Sequence, residues 1–106
     1  MKNTIELNLS LTNKYSNKIP VINKNENTEF TMNIDELNNF FETKVVIKDI
    51  EGKKLTKNCK FEDGKYKFTI NKIDNLSKGS YTIHFKLNNF YYKIKTQKVT
   101  IIVFDN

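Results

Sequence analysis

Residues 76–87 read Leu-Ser-Lys-Gly-Ser-Tyr-Thr-Ile-His-Phe-Lys-Leu, and this stretch decides the fold class. From Tyr81 to Leu87 every second residue is large and apolar, whereas the residues between them are polar. Because side chains alternate between the two faces of a β-strand, this pattern predicts a strand with one buried face and one solvent face. Gly79 stands just before the strand, where it permits a change of chain direction that other residues resist.

The same alternation recurs along the rest of the chain. Further strand-like segments lie at residues 5–11, 30–34, 44–49, 66–70 and 99–103, with a weaker, polar one at 55–61. Glu51-Gly52 and Asp63-Gly64 indicate two tight hairpin turns, and the Asp-Gly pair favours the turn geometry that matches strand twist. Short strands at this spacing predict an all-β fold, an antiparallel β-sandwich of about seven strands. A length of 106 residues suits one domain, 1–106.

Composition supports strands over helices. The chain has no Ala and no Arg, but it has eight Phe and five Tyr, which favour a pleated, half-buried surface. Cys59 is the only cysteine, so no disulfide can form within the chain, which fits folding in a reducing cytosol. Neither a signal peptide nor a membrane-spanning run is present, and the chain opens at Met1. We therefore expect a complete small protein that folds inside a cell.

A more specific motif lies at Leu76-Ser77-Lys78-Gly79-Ser80-Tyr81. It resembles the L-x-x-G-x-Y segment that leads into the sixth strand of immunoglobulin-like and fibronectin type III-like domains. The resemblance implies that Leu76 closes one end of the core and that the Tyr81 hydroxyl bonds back to the preceding corner. It covers residues 43–104 well and residues 1–42 only by pattern. Since the cysteine pair and the tryptophan of antibody domains are absent, it implies the disulfide-free immunoglobulin-like variety found in bacterial and phage proteins.

The net charge of +6 is unevenly distributed. Residues 1–42 carry four Lys and six acids (−2), residues 43–72 nine Lys and four acids (+5), and residues 73–106 five Lys and two acids (+3). We expect the middle third to form a basic surface, whose simplest role is to keep the protein soluble. A basic surface also suits nucleic acid, but the absence of Arg, which reads phosphates and base edges in bidentate fashion, argues against that partner.

No arrangement of residues indicates catalysis. Cys59 and His84 are the only conceivable nucleophile and base, but strand parity places His84 on the solvent face and no third group is indicated to orient it. Cys59 is more typical of a small buried residue. The acidic pairs Asp35-Glu36 and Glu62-Asp63 lack the ligand spacing of a calcium loop. We expect no enzyme activity, no catalytic residue, no metal site and no cofactor.

Two features suggest binding. If Val99, Ile101 and Val103 face the core, Ile102 and Phe104 point outward, either as an interface or beneath loop 12–27. Phe90-Tyr91-Tyr92 is unusually aromatic for a loop, and it either packs within its hairpin or offers an anchor to a partner. Phe40-Phe41 carries the same ambiguity.

Three functions from different classes remain open. The leading hypothesis is a phage virion auxiliary protein, a capsid decoration or stabilising protein that is made in the host cytoplasm and contacts the major capsid protein or another virion protein. The alternatives are a spacer or adhesin domain of a bacterial surface protein, and a carbohydrate-binding module with Tyr91 and Tyr92 as its platform. No membrane partner is expected.

Overall fold

A computed structural model describes residues 3–9, 18–34, 42–91 and 93–106, of which Ile34 is described by its backbone alone. Within these residues two β-sheets pack face to face. The strands are β1 (Asn3–Leu9), β2 (Val21–Asn23), β3 (Thr28–Ile34), β4 (Glu42–Asp49), β5 (Lys54–Asn58), β6 (Lys60–Glu62), β7 (Lys65–Ile70), β8 (Gly79–Asn88), β9 (Lys93–Lys95) and β10 (Val99–Phe104). A single 3₁₀ turn, Lys72–Asp74, is the only helical element in the described part.

The two sheets differ in size. The first has four strands in the order β1-β3-β7-β6, and the second has six, in the order β2-β10-β8-β4-β5 with β9 beside the second half of β8. The prediction of an all-β sandwich is confirmed. The pairing is mixed, however, because β1 runs parallel to β3 and β2 runs parallel to β10. The prediction of antiparallel pairing throughout is therefore wrong for these two pairs, because alternation within a strand carries no information about the direction of its neighbour.

The core lies between the sheets, where the alternating residues of both face inward. Phe68 marks its centre. Its ring stacks on that of Phe30 in the same sheet, with ring centroids 4.9 Å apart, and contacts Phe85 of the other sheet, with centroids 5.7 Å apart. Such aromatic pairs contribute to stability beyond the area that they bury. The sequence therefore builds a thin core from a few large side chains.

The polar segment at residues 55–61, predicted as one strand, is divided between the sheets. β5 ends at Asn58 in the six-stranded sheet, and β6 begins at Lys60 in the other. Cys59 is the crossing residue; its amide donates to the carbonyl of Thr43 over 2.9 Å, and its side chain packs against the core. An extended chain can change sheets here because one residue suffices to bridge the open edge of the sandwich.

Lys57 closes that edge. Its side chain reaches from β5 to donate to the carbonyl of Thr69 over 2.7 Å, and its ammonium group lies 2.5 Å from a carboxylate oxygen of Asp74. The same Asp74 oxygen accepts from the amide of Asn71 over 2.8 Å. Because β6 is too short to pair with the end of β7, the carbonyl of Thr69 lacks a strand partner on that side, and Lys57 donates to it instead.

The chain enters β8 through a corner that the side chain of Tyr81 fixes. The Tyr81 hydroxyl donates to the carbonyl of Ser77 over 2.6 Å, as expected, and the half-buried Leu76 packs against the core. Gly79 has φ +141°, a conformation that side chains disfavour even though a Cβ there would meet no atom within 4 Å. The requirement for glycine at this position is therefore conformational and not steric.

The Asp-Gly turn between β6 and β7 also forms as expected. Asp63 and Gly64 both have positive φ, 54° and 77°, which is the pattern of a type I′ hairpin turn. The turn places Lys65 and Glu62 at directly opposite positions on the two strands. Local turn chemistry thus sets the register of this hairpin.

Candidate binding surfaces on the six-stranded sheet

Strand parity decides which residues of the six-stranded sheet face solvent. Tyr81, Ile83, Phe85 and Leu87 of β8 are buried in the core, so the intervening residues of β8 line the outer face. Residues that are paired across neighbouring strands share a face. The outer face therefore follows from the register and combines residues from six segments of the chain.

Lysines line one part of this face. Lys86 of β8 pairs with Lys44 of β4 on one side and with Lys95 of β9 on the other, which gives a row of three directly opposed lysines. Next to it, Lys48 of β4 pairs with Lys54 of β5. With Lys93, which pairs with Asn88, these six residues form what we call the lysine face: Lys44, Lys48, Lys54, Lys86, Lys93 and Lys95. Like charges directly opposite each other on strands destabilise a sheet.

Within the described part of the chain none of the six lysines forms an ion pair, and the register places a single acid of β4, Glu42, at the end of the same face, where it is paired with Asn88. Val46 and His84 are paired at the middle of the face. Val46 is almost fully buried although it points outward, and we attribute this to the aliphatic stems of the surrounding lysines. The pKa of His84 is lowered, first by burial and then by Lys86, Lys95, Lys98 and Lys54. The face is therefore strongly positive.

The outer face of the four-stranded sheet is different. Two of its lysines have acidic neighbours: Lys65 lies 3.5 Å from Glu6, and Lys67, which is paired with Lys60, lies 3.7 Å from Glu62 and 3.4 Å from Asp63. The positive charge of Lys65 and Lys67 is thus balanced locally. The contrast makes the lysine face a feature of one sheet and not a general property of a basic chain.

Apolar side chains occupy the edge of the same outer face, on β2 and β10. Val21 is paired with Ile102, and both point outward because Ile22, Ile101 and Val103 are buried. The members of this apolar strip are 37 to 56% exposed. They are Ile19, Val21, Ile102 and Phe104.

The outward orientation expected of Ile102 and Phe104 is therefore present. Residues 18–27 do not cover them, because β2 lies beside β10 in the sheet; the amide of Ile102 donates to the carbonyl of Pro20 over 2.9 Å. Residues 12–17 of the loop considered as a cover lie outside the described residues. A contiguous exposed apolar strip is typical of a contact surface.

The hairpin between β8 and β9 ends in an aromatic tip. Phe90 is 96% exposed and Tyr91 82% exposed, with their rings in a T-shaped arrangement at a centroid distance of 5.6 Å. The side chain of Asn89 accepts from the amide of Tyr91 over 2.8 Å, which fixes the turn. Of the two options that the sequence left open, the rings project into solvent. Tyr92 and Phe40-Phe41 lie outside the described residues, as do Asp35 and Glu36.

A β-bulge links the aromatic tip to β10. Four residues of β8, from Ile83 to Lys86, are matched by five from Lys95 to Val99. The buried hydroxyl of Thr96 accepts from the amide of Phe85 over 3.0 Å and so supplies a bond that the interrupted ladder lacks. Bulges increase local twist and redirect side chains, which here sets the direction of the hairpin that carries the aromatic tip.

Cys59 and His84 do not form a catalytic pair in this arrangement. Cys59 packs against the inner, core side at the open edge of the sandwich, whereas His84 lies on the outer face. Burial raises the pKa of the Cys59 thiol to about 12, which keeps it in the unreactive protonated form at neutral pH. Among residues 3–9, 18–34, 42–91 and 93–106, no three His, Cys, Asp or Glu side chains lie together as metal ligands would.

A cavity of about 170 Å³ lies where the Tyr81 corner meets the turn between β4 and β5. Two carboxylates line it, and both are already used in structure. Asp49 accepts from the amides of Glu51 and Lys53, each over 2.9 Å, and Asp74 is held by Lys57. The cavity is small for a ligand pocket and offers few uncommitted polar groups.

Comparison with solved structures relates this fold to a phage protein. The chain superposes on the "N-terminal domain of phage TP901-1 ORF48" with a TM-score of 0.73, over 97% of this chain and 98% of that one, at 13% sequence identity. The similarity concerns the fold, since so low an identity says nothing of shared sites. A copper-binding protein in its apo form matches with a TM-score of 0.48, at 12% identity over 98% and 96% of the two chains, and supports no further argument.

No protein-family model and no curated protein sequence matches the chain. The described residues also contain no helix with the length and hydrophobicity needed to span a bilayer.

The lysine face is the feature that sequence reasoning missed. The charge count assigned the basic surface to residues 43–72, but three lysines of that segment, Lys57, Lys65 and Lys67, form ion pairs elsewhere. The exposed face draws half of its lysines from residues 86–95. Alternation in the segment 81–87 placed Lys86 on the outward face, so parity combined with charge was an available indication for that residue. The strand order that brings the lysines together could not be predicted from the sequence.

Proposed function

We propose that this protein is a non-enzymatic structural component of a bacteriophage particle, an immunoglobulin-like auxiliary protein that decorates or stabilises the capsid by binding its subunits. The observation that carries the proposal is the composition of one sheet face, which combines the apolar strip with the lysine face. Such a face is suited to binding a macromolecular surface and offers no chemistry for a reaction.

Two further observations support the proposal. The superposition on a domain of a phage protein agrees with a phage origin for the fold. The Tyr81 hydrogen bond and the conformation of Gly79 agree with the immunoglobulin-like corner that the sequence resembles. The fold alone does not determine function, so the sheet face remains the principal argument.

The alternatives receive less support from the geometry. The carbohydrate-binding alternative proposed Tyr91 and Tyr92 as its platform; Tyr92 lies outside the described residues, and the neighbouring rings of Phe90 and Tyr91 are inclined by 67°, which is not a flat surface. A spacer or adhesin domain of a bacterial surface protein does not require uncompensated lysines and an apolar strip on the same face. Both alternatives predict no affinity for phage particles.

The test is co-sedimentation of the purified protein with particles of the source phage, or with their empty capsids. We expect saturable binding that is lost in the double variant Val21→Asp/Ile102→Asp, which places charge in the apolar strip. The matched control is Ile50→Asp/Ile73→Asp, since both isoleucines are almost fully exposed and lie outside the strip. Circular dichroism verifies that both variants fold.

Binding by the control but not by the strip variant supports the proposal. Absence of the protein from intact particles together with no binding to capsids contradicts the virion role. Equal binding by both variants contradicts the assignment of the strip as the contact. A glycan-dependent interaction that is lost only on Tyr91→Ala would favour the carbohydrate-binding alternative.

A further inference from the structure

We infer that the lysine face is a binding site for an acidic protein segment, a surface or extended peptide rich in Asp and Glu. The inference deepens the proposed function and rests on it only for the identity of the partner. The site itself is defined by this chain's own residues.

The first argument is the arrangement of charge. Lys44, Lys86 and Lys95 follow one another on adjacent strands, at the spacing of about 4.8 Å that separates strands in a sheet. Three ammonium groups in one row repel one another, and none of the three forms an ion pair with a described acid, although Glu42 lies two residues from Lys44 on the same face. A row of carboxylates brought by a partner would replace these repulsions by attractions, and it would also speed the encounter.

The second argument concerns the environment of His84. The groups that face it are Val46 and Lys44 of β4, Lys54 and Thr56 of β5, Lys86 and Thr82 of β8, Lys95 of β9, and Lys98 after β9. All the charged groups among them are positive. Carboxylates that dock on this face would raise the pKa of the histidine, so the protein should take up protons when it binds at mildly acidic pH.

The third argument concerns whether the partner is a protein or a nucleic acid. Nucleic-acid surfaces of this kind add arginine forks or aromatic rings on which bases stack, and this chain has no Arg. No Phe, Tyr or Trp side chain lies among the described outward residues of β4, β5 and β8. The apolar strip continues the same sheet face beyond Ser80 and Thr82, and a protein partner can cover it whereas a polyphosphate backbone cannot.

The experiment is a titration of the isotope-labelled protein by NMR at low ionic strength, with an oligo-glutamate peptide and, separately, with a poly(dT) oligonucleotide of the same charge. We expect the peptide to shift the amide signals of β4, β8 and β9 and to leave those of β3 and β7 unchanged. The triple variant Lys44→Gln/Lys86→Gln/Lys95→Gln should bind the peptide about tenfold more weakly.

The matched control is Lys60→Gln/Lys72→Gln/Lys78→Gln, which removes the same charge from exposed positions outside the face. Its peptide affinity should stay within about twofold of the natural protein. Three outcomes would each overturn the inference. They are an equal loss of peptide affinity in the two triple variants, tighter binding of poly(dT) than of the peptide, and no binding of the peptide. Because no phage particle takes part, such a failure is distinct from a failure of the virion role.

Discussion

Replacing Lys86 by glutamate tests the claim that the lysine face carries unrelieved repulsion. Lys86 stands between Lys44 and Lys95, so one substitution changes two repulsive cross-strand pairs into two attractive ones. At about 0.5 kcal/mol for each pair of either kind, the change of sign is worth at most about 2 kcal/mol. Since these side chains are exposed, solvent screening reduces the expected gain to about 1 kcal/mol of unfolding free energy.

The assay is urea unfolding followed by circular dichroism, at low salt and again at about 1 M salt, where the Debye length falls to about 3 Å. Lys86→Glu should be more stable than the natural protein at low salt, and the difference should shrink at high salt. Lys78→Glu, in the segment before β8, makes the same charge change without a cross-strand partner and should have little effect. If Lys86→Glu lowered the unfolding free energy, or if its effect did not depend on the salt concentration, the charge argument for this face would be wrong.

Three further predictions concern single groups. Tyr81→Phe removes the hydrogen bond to the Ser77 carbonyl and should lower the unfolding free energy by about 1 kcal/mol in urea titration, with the fold unchanged; an unaltered stability would argue against the corner. Thr28→Val replaces a buried hydroxyl that has no partner among the described residues, so it should raise the midpoint of unfolding, and a lowered midpoint would reveal an unrecognised bond. Because the pKa of His84 is lowered in the folded state, the unfolded state binds more protons, and stability should fall as the pH drops below about 6.5. Unfolding measured at a series of pH values should show this loss between neutral and mildly acidic pH, and His84→Gln should remove that part of the slope.

Local sequence patterns predicted the elements of the fold well where they depend on neighbouring residues. The buried face of β8, the Asp63-Gly64 turn and the outward position of Ile102 all follow from alternation or from turn chemistry. The sequence predicted residues 55–61 as one strand and gave no indication of the crossing between sheets at Cys59, because the strand-like pattern continues through that residue without a break. The roles of Phe90 and Tyr91 had been left open, because exposure of a hairpin tip depends on what packs against it.

The strands, their buried faces and the tight turns could be predicted from the sequence, because each of these depends on interactions within a few residues. Which strands are neighbours could be learned from the folded structure alone. The parallel pairing of β1 with β3, the reach of Lys57 to Thr69, and the row formed by Lys44, Lys86 and Lys95 all join residues distant in the chain. Contacts of that kind are set by how the two sheets close around their shared core, and no local pattern records them.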